Sequence, residues 1–253
     1  MKRLLYCCMA ALLFLAGGCL IPDRPGAKLW FYVQSNNAPP TWDTTLTRVS
    51  FLELQPDGTY TQDFGHFEYG SWTIRNEQLY LTNQHRKTYI YRMKDQKEKL
   101  LSLVVGVGLR TAYFRGLDFP SRKPEKDPFS LYNNQWRVPP AHKESDAEIR
   151  SRLYKHCRFW ERYFTWELDQ GSGSVDVTDI PTPLKIYGNG FGLKHYADLP
   201  AGWKACFFDD EDCHKADTLI KHTFRKHDIA WPDTDNDLKK FISGMQQLEG
   251  WLK

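Results

Sequence analysis

Beyond its first twenty residues, the sequence has no apolar run of the ~20 residues that a membrane-crossing helix needs. It also has no excess of one charge: 34 Lys and Arg against 31 Asp and Glu leave +3. That balance excludes the basic footprint of a nucleic-acid binder. Cysteine is scarce, with six in 253 residues and no Cys-x-x-Cys spacing, so the paired ligands of a structural zinc site are missing. There is no Gly-x-Ser-x-Gly elbow, no His-Glu-x-x-His, no Walker or Rossmann glycine spacing and no internal repeat. No cofactor is therefore implied.

The first residues do carry a signal. Lys2 and Arg3 precede an unbroken apolar run from Leu4 to Leu15, then Ala16, Gly17 and Gly18 lead into Cys19. A charged start, a short apolar stretch and small residues define an export signal. Ala16-Gly17-Gly18-Cys19 resembles the lipobox of bacterial lipoproteins, with Ala where Leu is commoner. The resemblance implies that residues 1–18 are removed and that Cys19 takes a thioether-linked diacylglyceryl group and an acylated amine. Several acyl chains, at about 0.8 kcal/mol per buried methylene, make such an anchor effectively permanent. Leu20 rather than Asp follows, which by the same resemblance favours the outer over the inner membrane. An ordinary cleaved signal is the alternative. Loss of Lys2 and Arg3 lowers the formal charge from +3 to +1.

Aromatic residues are abundant, with 9 Trp, 13 Tyr and 15 Phe, and favour strands and large buried areas. Residues 19–27, with Pro22, Pro25 and Gly26, read as a lipidated tether. Residues 28–117 read as consecutive strands: Leu29 to Val33, Val49 to Leu54, Thr59 to Asp63, Gly70 to Ile74, Gln78 to Thr82, Thr88 to Met93, Leu100 to Val105 and Arg110 to Arg115. Pro56-Asp57-Gly58 and Arg75-Asn76-Glu77 are turn signals. Phe51-x-Glu53-x-x-Pro56-Asp57-Gly58-Thr59-Tyr60, Gly70-x-Trp72-x-Ile74, Leu79-x-Leu81 and Tyr113-Phe114-Arg115 are similar to the small lipocalin-like domains of bacterial lipoproteins. The resemblance implies an antiparallel up-and-down sheet or small barrel. Trp72 is then a buried strand residue, and Gly70 and Trp72 serve folding.

Residues 118–128, rich in proline and charge, read as a linker to a second domain over 129–253 of α+β character. Ser145-Asp146-Ala147-Glu148 is a capping box. Ile149, Leu153, Cys157, Trp160, Phe164 and Leu168 follow at helical spacing, although the aromatic stretch from Phe159 also fits a strand. Val175 to Val177 and Leu184 to Tyr187 are strand candidates. Ala216, Leu219, Ile220 and Phe224 form a second helical stripe. Leu238, Phe241, Ile242, Met245, Leu248 and Leu252 form a terminal amphipathic helix capped by Asn236 or Asp237.

Candidate sites fall in this second half. Trp160, Tyr163 and Trp166, in an aromatic group with Phe159 and Phe164, could offer a stacking platform for a sugar or peptide; the simpler reading is a core against which the flanking helices pack. In an oxidising envelope Cys206 and Cys213, separated by a short acidic loop, are expected to be joined, with a bond to Cys157 or three reduced thiols as alternatives. His156-Cys157 and Cys213-His214 form a weak soft-metal set, and Asp209 to Asp212 and Asp233-x-Asp235-x-Asp237 weak calcium sets; solvated loops and helix caps are the simpler readings. Gly188 to Gly192 reads as a turn. The expectation is a lipid-anchored, non-enzymatic binding module for a protein partner, of immunity or envelope-assembly type, or a small ligand. The alternative is an envelope hydrolase that uses two carboxyls on glycan or peptide.

Overall fold

A computed structural model describes residues 26–35, 50–64, 66–105, 110–169, 201–229 and 238–253. Cys19, the strand candidates of 175–187, Gly188 to Gly192, the acidic run of 233–237 and most of the long loop after the first strand lie outside these residues.

Eight strands follow one another: β1 (Leu29–Ser35), β2 (Phe51–Leu54), β3 (Thr59–Asp63), β4 (Phe67–Arg75), β5 (Gln78–Asn83), β6 (Thr88–Lys97), β7 (Leu100–Val105) and β8 (Arg110–Leu117). Each pairs antiparallel with the next, and β8 returns to β1 with Leu29 opposite Leu117 and Tyr32 opposite Phe114, closing a barrel. Closure removes the two free sheet edges. Side chains alternate in and out. Trp30, Leu52, Leu54, Tyr60, Trp72, Leu79, Leu81, Leu101, Leu103 and Phe114 form one buried cluster that fills the lumen.

The lipocalin-like motif residues have local reasons. Gly58, with φ of 91°, ends a turn in which its amide bonds the Gln55 carbonyl at 3.0 Å. Asp57 accepts from the Thr59 amide at 2.8 Å, which starts β3. Trp72 is buried, and its indole N–H reaches the Gln55 carbonyl at 2.8 Å, tying β4 to that turn. A Cβ on Gly70 would stand 2.0 Å from the Thr82 carbonyl oxygen, so β4 can approach β5 there only with glycine.

Three long helices follow: α1 (Asp146–Asp169), α2 (Asp210–His227) and α3 (Leu238–Leu252), with short turns at Leu131–Asn134, Gln135–Arg137 and Ala201–Lys204. The capping box forms: Ser145 N donates to Glu148 Oε2 at 2.8 Å. These bonds from Ser145 pull the exposed Glu148 carboxyl down to about 2. The aromatic stretch from Phe159 is helix and not strand. On α3, Leu238, Phe241, Met245, Leu248 and Leu252 are buried, and Phe241 packs on Phe164 of α1 with centroids 5.4 Å apart. All regular elements described beyond residue 118 are helical, so the β part of the expected α+β second half has no counterpart among the described residues.

The barrel and the helices on either side of residues 118–128 are in contact. Phe31 and Phe51, on the outer face of β1 and β2, pack edge-on against Phe129 at 5.1 and 5.0 Å. Trp166 of α1 stacks on Phe31 at 5.2 Å, and Leu29, Phe31 and Phe51 share one core cluster with the helices. Residues 118–128 are a strap laid along the barrel. Its last part is anchored by Asp127, which is 1 % exposed. Apolar side chains on the outer face of β1 and β2 require a cover, and the helices supply it.

Candidate functional site

The platform expected from Trp160, Tyr163 and Trp166 is not a surface. Trp160 and Tyr163 are each only 2 % exposed. Tyr163 meets Phe129 edge-on at 5.7 Å, and Trp160 lies 5.8 Å from Phe164. One face of α1 must cover both the barrel and α3, and these rings fill that seam. Trp166 is half-buried and lines a hollow with Lys28, Lys99, Arg115 and Phe119 where the strap leaves the barrel. Of the three residues, it alone reaches an opening.

Cys206 and Cys213 are both buried, as is Cys157, and no disulfide is formed among the described residues. The segment between them is no acidic loop: Asp209 caps α2 by accepting from the Asp212 amide at 2.9 Å, and Asp210, Glu211 and Asp212 form the first turn. Acids at the start and Arg225, Lys226 and His227 at the end of α2 both favour its dipole. Burial pushes the Cys206 thiol up to about 12, leaving little thiolate to attack a partner sulfur. His156 is wholly buried between Trp136 and Trp203, at 4.4 and 4.7 Å, and desolvation holds it neutral.

Three polar clusters were not legible in sequence. Inside the barrel, Glu68 accepts from Gln62 Nε2 and Asn83 Nδ2, each at 2.9 Å, and from the Tyr89 hydroxyl at 3.1 Å. A buried carboxylate is tolerable when several donors meet it. Burial and the Glu68 charge push the Tyr91 phenol up to about 12. Between barrel and helices, Glu53 and Asp127 meet at 0 % and 1 % exposure. Beside them Arg137 pairs with Asp63 and lies over the Phe159 ring at 5.0 Å. At the other side of α1, Arg152 holds Glu144 at 2.9 Å and donates to the carbonyls of Trp136 and Val138 at 2.6 and 3.0 Å, locking the approach to α1. Each acid sits in an alternating strand or a loop where an exposed acid is ordinary. Only the neighbour that covers it changes its meaning.

One opening differs from these clusters in being accessible. A cleft of about 570 Å³ runs between α1 and α2. Ile149 and Leu219 give it an apolar floor; Arg150, His214, Lys215, Thr218 and His222 stand along it, with Asp146 and Glu211 at one end. The helical stripe of α2 explains the arrangement: Ala216, Ile220 and Phe224 turn inward, so the residues between them form the rim.

No family model, curated protein or solved structure matches this chain. The reading of function rests on the molecule itself. The buried carboxyl pair Glu53 and Asp127 is sealed from solvent and in mutual contact, so no glycan or peptide can enter between them. That pair therefore gives the hydrolase reading no support.

Proposed function

We propose that the protein is a lipid-anchored binding module of the bacterial envelope, held through Cys19 at the outer membrane, which recognises a protein partner with its helical face. The observation that carries this reading is the cleft between α1 and α2, which combines an apolar floor with charged and imidazole-bearing rims. Such a mixture suits a protein contact, in which a buried apolar centre is ringed by polar groups. The lumen supports the same choice, since Trp30, Leu79, Leu81 and Phe114 fill it at 0–1 % exposure and leave the outside for recognition.

Two measurements test it. Cys19→Ser removes the thiol needed for the thioether, so the protein should leave the detergent-soluble membrane fraction; unchanged membrane retention overturns the anchor. A photo-crosslinking residue at Thr218, in the cleft, should capture one envelope protein, and Leu219→Asp should abolish that product while the circular dichroism stays unchanged. Ile90 is 57 % exposed on the outside of the barrel and is the control position. Equal products from Thr218 and Ile90 overturn the assignment of the helical face.

A further inference from the structure

The joint between barrel and helices is one hydrogen short. Glu53 projects from the outer face of β2 beneath the strap and is 0 % exposed, and Asp127 above it is 1 % exposed. The Asp127 carboxyl is in hydrogen-bonding contact with Glu53. Thr61 has one hydroxyl hydrogen and two acceptors in reach, Glu53 Oε2 at 3.0 Å and the Phe129 carbonyl at 2.9 Å. The Gln55 side chain adds a donor to Glu53, yet Glu53 Oε1 meets no donor. Asp127 is better served: its Oδ1 accepts from the Phe129 amide at 2.9 Å. Burial raises the Asp127 carboxyl too, but the Phe129 amide dipole and the bond from Glu53 act against that rise, so of the two it is Asp127 that carries the charge. Two ionised carboxylates in contact inside an apolar shell would repel each other and lose their hydration together.

We infer that Glu53 is a carboxylic acid in the folded protein at neutral pH, and that its proton, donated within this pair, is the clasp that holds β2 and β3 to the strap and thus to the helical layer. Glu53 O–H is the missing donor, and Asp127, whose Oδ1 is met by the Phe129 amide, is the acceptor. The other charged groups at this joint are Asp63 and Arg137, which satisfy each other one inward–outward repeat along β3 from Thr61. Burial, the Asp127 charge and the hydrogen bond to it act in the same direction, raising the Glu53 carboxyl well above its usual range. A raised folded value means that the stability from this joint is complete below the ordinary glutamate value. It is lost as pH climbs through the raised one. Across the intervening range the unfolding constant rises by up to about tenfold per pH unit for one proton. Loss of the proton would separate the barrel from the helices that carry the cleft.

The test is infrared spectroscopy of the full chain in heavy water at about pH 8, where a folded-state carboxylic acid C=O band is expected although ordinary carboxyls are ionised. The band should shift when glutamate is 13C-labelled at its carboxyl and should vanish in Glu53→Gln. No band in the wild type, a band insensitive to the glutamate label, or a band that survives in Glu53→Gln overturns the inference. The label experiment needs no variant, so it decides the matter even if Glu53→Gln does not fold. In denaturant, the wild-type unfolding constant should rise as pH climbs above the ordinary glutamate value while that of Glu53→Gln stays flatter, because an amide supplies the donor without titrating. Parallel wild-type and variant profiles also overturn it.

Discussion

Trp72 shows what a single side chain does here. It fills the lumen, and its indole N–H closes a bond to the Gln55 carbonyl, so its removal leaves both a cavity and an orphaned acceptor. Trp72→Ala is expected to cost about 3–5 kcal/mol, read as a lower urea midpoint at an unchanged slope. A shift of less than about 1 kcal/mol would contradict its place in the core. Glu249 on α3 shows the opposite case, a residue whose setting costs stability. Burial and the charge of Glu161 push its carboxyl up to about 7, against the pull of Arg158, Arg162 and Lys253, and its Oε1 has no hydrogen-bond partner. The folded value is raised, so the stability associated with its protonated form is complete below 4.5 and falls away as pH rises to about 7. Glu249→Gln should therefore flatten the decline of thermal stability between about pH 5 and 7.5. An unaltered profile would assign that decline to other groups.

At the scale of elements, the turns and caps carry most of what can be tuned. The β4–β5 hairpin places Asn76 and Glu77 at φ of 49° and 58°, the left-handed pair of a type I′ turn. Asn tolerates this conformation and Glu pays for it. Glu77→Gly should stabilise the barrel by about 1 kcal/mol, measured by chemical denaturation; destabilisation would mean that the Glu77 side chain makes a compensating contact. The α2 helix ends similarly on Asp228, at φ of 46°, whose amide bonds the Phe224 carbonyl. At the other end of that helix, Asp209 caps α2 and the acids that follow form its first turn. Their charges are used on amides and on the helix dipole.

On the scale of the whole molecule, barrel and helices share a buried cluster. Phe31, Phe51 and Glu53 all lie on the outer face that the helices cover, so a fragment ending after β8 would expose two aromatic rings and a carboxyl stripped of its partner. A chain stopped at residue 117 is expected to aggregate or to unfold at lower denaturant than the full protein, as seen by size-exclusion chromatography and fluorescence. A monomeric fragment as stable as the barrel in the full chain would support the two-domain division.

The sequence by itself determined the local geometry. Gly70, Trp72 and the Pro56-Asp57-Gly58 turn specify strand spacing and reversal. Ser145 and Glu148 start α1, and the apolar stripe from Leu238 to Leu252 specifies α3, because each of these effects acts over a few residues through sterics, short hydrogen bonds or a 3.6-residue period. Alternation also showed which strand residues face inward. Only the tertiary structure decided what lies against the outward ones. Phe31 and Phe51 look like ordinary exposed aromatics until Phe129 and Trp166 cover them. Glu53 reads as a solvated acid until Asp127, which is 74 positions later in the sequence, seals it. Trp160 and Tyr163 read more simply as a core but also fit a platform, since a helical face of aromatics has the same pattern whether water or another element meets it. Burial depends on contacts between distant parts of the chain, and no local pattern encodes the identity of the partner.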